Sequence, residues 1–128
     1  MAKRSIDPPS VNAFRYELPG GWVVLAGKTD ADNERISLRV ARPDDWWFHV
    51  RGLPGSHVLL QVGDLGEPDK ETIKRAAAIA AYHSKAKNAG TVPVSATRGR
   101  FVTKPRGAPR GTVEIRKEQI LKVRPELP

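Results

Sequence analysis

Short alternating runs of apolar and polar residues dominate the chain, and one stretch keeps a helical period for long. Phe14-Arg15-Tyr16-Glu17 and Trp22-Val23-Val24-Leu25 are β-prone. The Leu18-Pro19-Gly20-Gly21 segment between them supplies the dihedrals of a tight reversal, so a hairpin is predicted. Residues 29–41 begin with the capping candidates Thr29, Asp30 and Asp32 and stop before Pro43, with Ile36 and Val40 four apart. That spacing predicts a helix, although the alternation of Ile36, Leu38 and Val40 would also suit a strand. Residues 45–51 and 57–62 are rich in aromatic and β-branched side chains and flank Gly52-Leu53-Pro54-Gly55-Ser56, the pattern of a second hairpin.

Asp69 opens the long helix. Ile73, Ala76, Ala77, Ala80, Ala81 and Ser84 keep the 3.6-residue period with small side chains, so this helix can lie close against a sheet. It is predicted to end near Asn88, with Lys85 and Lys87 in the last turn and Gly90 as its cap. Short β-prone runs follow at 92–94, 100–103, 112–115 and 121–123, and these suit a small mixed sheet. The order of elements indicates the α+β class: a single small domain with a mixed or antiparallel sheet, two hairpins and one long Ala-rich helix. Residues 1–12, with Pro8 and Pro9, read as a flexible N-terminal arm and 13–128 as the domain.

Charge adds a direction to this outline. The 128 residues carry 22 Lys and Arg against 14 Asp and Glu, a net charge of +8. Residues 1–73 hold 9 basic and 11 acidic side chains, whereas residues 74–128 hold 13 basic ones and only Glu114, Glu118 and Glu126. A positive field on the C-terminal half draws polyanions, and nucleic acid is the commonest such partner because phosphate neutralisation releases condensed counterions. A chain without cysteine forms no disulfide and no thiolate metal site, which fits a reducing cytoplasm. No apolar run approaches the roughly 20 residues that span a bilayer, and the start, MAKRSIDPPS, lacks a signal peptide's apolar stretch. A cytoplasmic protein with no membrane partner is expected.

Two constellations carry chemistry. In a strand over 45–51, Trp46, Phe48 and Val50 share one face, the core, while Asp45, Trp47, His49 and Arg51 share the other. The hairpin brings His57 beside them. An indole and two imidazoles beside a guanidinium would stack on unpaired bases and hold phosphate. The same residues would equally serve structure, with Asp45 and His49 ordering the hairpin and Trp47 filling a gap. Asp45, His49 and His57 lack a recognised metal-ligand spacing, and no metal is assigned. Ser56 and His57, adjacent on a strand, point apart, which rules out a serine hydrolase. The second constellation is Arg98, Arg100, Lys104, Arg106 and Arg110, interleaved with glycine, proline and Phe101. Such a loop can track a nucleic-acid backbone, or simply keep the protein soluble. Lys74, Arg75, Lys85 and Lys87 would extend it in part. The Gly-x-x-x-x-Gly-Lys spacing of a P-loop is missing, so nucleotide hydrolysis has no support.

Asp45-Trp46-Trp47-Phe48-His49-Val50 followed by Pro54-Gly55-Ser56-His57-Val58 resembles the NFACT-R family of RNA-binding domains. The match continues through Tyr82, Ser84-Lys85-Ala86-Lys87, Val92-Pro93-Val94 and Val102-Thr103-Lys104-Pro105-Arg106-Gly107. The family's Asp-aliphatic-Trp pattern is here Asp45-Trp46-Trp47, an enlargement on the core-facing side. The resemblance implies an RNA-binding module of the kind carried by ribosome quality control proteins, which engage the large ribosomal subunit and transfer RNA. It implies a stand-alone version of that module, without the accompanying domains of those larger proteins. The RNA contacts it implies, together with the basic segments, are Trp47, His49, Arg51, Ser56, His57, Lys85, Lys87, Arg98, Arg100, Lys104, Arg106 and Arg110. Asp45, Pro54, Gly55 and Gly107 are expected to shape the loops. The expected partner is structured RNA, transfer or ribosomal, with no preference for DNA, no cofactor and no catalytic step. The alternatives are an accessory or enzyme of transfer-RNA modification and a protein-interaction adaptor on the ribosome.

Overall fold

The computed structural model describes residues 12–128; the arm expected over 1–12 lies outside them except for Asn12. The first hairpin pairs β1 (Ala13–Leu18) with β2 (Trp22–Gly27). Its reversal is made by Gly20 and Gly21 at φ +99° and +85°, a region that a Cβ disfavours. The second pairs β3 (Trp46–Val50) with β4 (Val58–Gln61), Trp47 facing Leu59 across the ladder. With β5 (Val92–Arg98) and β8 (Gln119–Val123) these strands form one sheet in the order β1-β2-β4-β3-β5-β8. Every pairing is antiparallel, so the C-terminal runs do not make the mixed sheet anticipated for them. They divide, β5 and β8 extending the main sheet while β6 (Val102–Thr103) and β7 (Glu114–Ile115) make a separate small ribbon.

Helix α2 (Lys70–Tyr82) covers one face of the sheet. Its N-terminus is closed by the Asp69 carboxylate, which accepts from the Thr72 N–H at 2.8 Å. Ala76, Ala77, Ile79 and Ala80 lie without measurable exposure against Val24, Phe48, Val58, Leu60 and Val94. The small side chains of Ala76, Ala77, Ala80 and Ala81 let the helix axis approach the strands, so this layer is the main apolar core. The helix ends six residues sooner than predicted. His83 leaves the helical region at φ −90°, ψ 45°, so Lys85 and Lys87 lie in the turns beyond the helix and Gly90 does not cap it.

The opposite face is covered too. The predicted helix over 29–41 forms as α1 (Asp30–Arg35), N-capped by Thr29, and continues as a π-helical turn over Ile36–Val40 in which the Ala41 N–H donates to the Ile36 carbonyl. Ile36 and Val40 pack there on Leu25 and Leu59. Helices on both faces give the sheet two interiors, one almost wholly apolar and one with polar groups built in.

Candidate nucleic-acid interface

The second interior contains the face expected to bind RNA. Alternation along β3 holds, with Trp46, Phe48 and Val50 in the α2 core. On the other side, however, Trp47 is 3% exposed and His57 6%. The Trp47 indole N–H donates to Ser37 Oγ at 2.8 Å, and the same oxygen meets His57 Nδ1 at 2.7 Å. The rings of His49 and His57 meet edge to face, 5.3 Å apart. Burial pushes His57 down to about 4, reinforced by the neighbouring His49, and burial likewise lowers His49, so both imidazoles are neutral at pH 7. This corrects the expected stacking platform. The π-helical turn supplies a cover that periodicity in the strand cannot reveal, and Trp47 and His57 offer no free ring face to a base.

Asp45 belongs to the same frame. Its carboxylate accepts from the backbone N–H groups of Val62 and Arg42 at 2.8 and 2.9 Å, and its own carbonyl accepts from Gly99 at 2.8 Å. Through its carboxylate and its own carbonyl, this one residue thereby fastens the start of β3 to the end of β4 and to the turn after β5. Both oxygens being committed to amides, Asp45 does not converge with the imidazoles, and no cluster of three such side chains among the described residues could hold a metal.

The loop between β3 and β4 docks on the segment after α2. Gly55 bridges Ser84, the Ser56 N–H donates to the His83 carbonyl at 2.9 Å, and the Lys85 N–H donates to the Pro54 carbonyl at 3.0 Å. A Cβ on Gly55 would lie 2.8 Å from that of Ser84, so only glycine permits this approach. Ser56 Oγ donates to the Gly27 carbonyl at 2.6 Å, which makes Ser56 a fastener as well. The result is an open cleft between this loop, the start of α1 and the end of α2, lined by Lys28, Asp30, Tyr82, His83 and Lys85. Phe14 stands at its rim, 40% exposed and stacked on His83 at 4.5 Å. Lys28 lies over Phe14 and Lys87 over Tyr82, at 4.8 and 4.3 Å. Sequence reasoning named Lys85 and Lys87 here but missed Phe14, Lys28, Tyr82 and His83.

The basic C-terminal constellation is partly neutralised from within. Arg98 pairs with Glu67 at 2.5 Å while its guanidinium covers the Trp46 ring, and Arg100 pairs with Asp44. Lys104 pairs with Glu34 at 2.9 Å. That lysine and the Gly111 N–H hold the Glu34 carboxyl below its ordinary range. Arg51, Arg106 and Arg110 are exposed and make no ion pair with the described residues. Arg110 lies with Arg35, Arg39 and Glu34 along a shallow groove on the outer side of α1, near enough to Glu34 to help lower its carboxyl. Because the N-terminal end of α1 borders the Lys28 and Lys85 cleft, this short helix links the two basic regions.

The family model described as the NFACT protein RNA binding domain matches residues 12–117. The chain belongs to this family. Among curated relatives, this NFACT RNA-binding domain is 44% identical over 111 residues to the Rqc2 homolog RqcH of Bacillus subtilis. It is 34% identical over 106 residues to RqcH of Streptococcus suis. These alignments cover 87% and 83% of the domain but 19% of each relative, so the chain spans about a fifth of their length. The solved C-terminal part of the fibronectin/fibrinogen-binding protein from Streptococcus suis superposes with a TM-score of 0.84 at 32% identity. That match takes in 95% of the domain and 48% of the solved chain. Among the described residues no helix is long and apolar enough to cross a membrane.

Proposed function

We propose that this domain binds structured RNA, transfer or ribosomal, through the basic path around α1, and that it does so at the large ribosomal subunit in translation or ribosome-associated quality control. The observation that carries the reading is which cations the fold leaves without an ion pair among the described residues. Lys28, Lys85 and Lys87 flank the cleft at one end of α1, and Arg35, Arg39 and Arg110 line the groove along its outer side. The cations nearer β5 are held by Glu67, Asp44 and Glu34. Phosphates spaced along a folded RNA would replace water around the first set without breaking any ion pair of the second.

The ribosomal setting comes from the resemblance to the RqcH proteins, in which this domain is one part of a larger chain. The test is electrostatic. Transfer RNA and ribosomal RNA fragments should bind with an affinity that falls linearly on a logarithmic salt scale. Arg39→Ala with Arg110→Ala should flatten that slope by about two units, one per phosphate contact. Absence of binding to either RNA in dilute buffer would overturn the proposal.

A further inference from the structure

We propose that the cleft at the end of α2 receives one unpaired nucleotide of the bound RNA, its base stacked on Phe14 and its phosphate held by Lys28 and Lys85. This rests on the RNA-binding reading and adds a specific subsite to it. Three independent features of the corner converge on that ligand.

The first is an exposed aromatic, Phe14, held in place by Tyr16, which packs against the edge of the core, and by His83. Phe14 and Tyr16 stand on the same side of β1, where the edge strand runs past the end of α2. Tyr16 shares a hydrogen bond of 2.6 Å with His83 Nε2, which fixes the imidazole in its orientation. The fixed imidazole backs Phe14 on one face at an interplanar angle of 21°, leaving the phenyl ring supported and two-fifths exposed. An exposed aromatic held rigid from behind loses little freedom when a base stacks on it.

The second feature is the placement of charge. The Lys28 ammonium lies over the Phe14 ring in the unbound domain. Stacking of a base is the stronger interaction with an exposed ring, so a base would displace the ammonium, whose flexible stem lets it turn to the adjoining phosphate. Lys85 lines the same cleft. Asp30, the carboxylate on its wall, repels phosphate and so favours a pose with the phosphate on the lysine side. In that pose Asp30 faces the base edge, where an amino group would donate to it.

The third is that the cleft is constructed rather than left over. Gly27 and Gly55 line it, and each sits where a Cβ would collide, Gly27 with Asn33 Oδ1 at 2.0 Å and Gly55 with Ser84 at 2.8 Å. Backbone hydrogen bonds from Ser56 and Lys85 lock the two walls together. A duplex presents its bases edge-on within the stack and cannot lay one on Phe14, whereas a loop, bulge or single-stranded end can.

The experiment compares two RNA hairpins of one stem, one blunt and one with a short unpaired 3′ extension carrying 2-aminopurine. The intact domain should bind the extended hairpin about tenfold more tightly, and 2-aminopurine fluorescence should fall on binding. Phe14→Leu should abolish the preference and the quenching. Lys28→Ala should weaken the preference and lower the salt slope for the extended RNA. Equal affinity of the intact domain for the two hairpins, or 2-aminopurine that stays bright when bound, would overturn the proposal whether or not the variants fold. Retention of the preference by folded Phe14→Leu would overturn it too. Failure to bind either hairpin would instead remove the RNA-binding reading itself.

Discussion

Ser37 illustrates how one small side chain holds the second interior together. Its hydroxyl meets the Trp47 indole N–H and the His57 ring nitrogen, all three residues being buried. Removing the oxygen leaves two buried polar atoms without their partner, so Ser37→Ala should destabilise the domain by roughly 2 kcal/mol, read as a drop in melting temperature. His57 adds a pH dependence. Its folded pKa of about 4 lies below the ordinary value of 6.5, so the unfolded chain binds the proton more readily. The stability it contributes is complete above pH 6.5 and is lost as pH falls toward 4. Over that window the loss should approach about 1.4 kcal/mol per pH unit. Thermal melts from pH 7 to pH 4.5 should show this fall, and His57→Gln should show a shallower one.

At the scale of elements, two glycines set how loops meet helices. Gly27→Ala places a Cβ against Asn33, whose side-chain oxygen accepts from the His57 N–H at 3.0 Å. This substitution should lower the melting temperature and weaken RNA binding together, because it moves α1 relative to the cleft. Both hairpins and α2 were legible in the sequence because each rests on local signals: Pro-Gly-Gly, a glycine-bounded loop and a run of alanines after Asp69. The early end of α2 was not legible. Alanine and lysine beyond Tyr82 favour helix, but the β3 to β4 loop takes the backbone of His83, Ser84 and Lys85 into its own hydrogen bonds, and that partner lies about thirty residues away. Burial of Trp47 escaped for the same reason. Period-two alternation distinguishes the faces of a strand but does not say that both will be covered. Phe14 and His83, separated by most of the chain, came together only through the fold.

For the whole molecule, formal charge overstates the field available to a partner. Arg98, Arg100 and Lys104 raise the count of the C-terminal half, yet each is spent on an acid from the N-terminal half. Arg106→Ala, at an exposed residue without an ion pair among the described residues, should reduce the salt slope of RNA binding by about one unit. Arg98→Ala should instead leave the slope nearly unchanged and lower the melting temperature, since its guanidinium covers Trp46 and bonds to the Asp44 carbonyl at 2.7 Å. Titrations across a salt series, paired with melts, separate the two classes of arginine. Lys28, Arg35 and Arg39 of the proposed path come from the N-terminal half, so the charge asymmetry read from the sequence did not foretell where these cations gather.

Strand β8 has a practical implication for anyone cutting the gene. Recognisable family sequence stops at Lys117, yet Gln119–Val123 pairs along β5 from Ala96 to Val92. A fragment trimmed to the family limits would uncover a row of unsatisfied amides and carbonyls on an apolar strand, an invitation to fibrous self-association. Expression of the shortened form should therefore yield more precipitate than expression of residues 1–128.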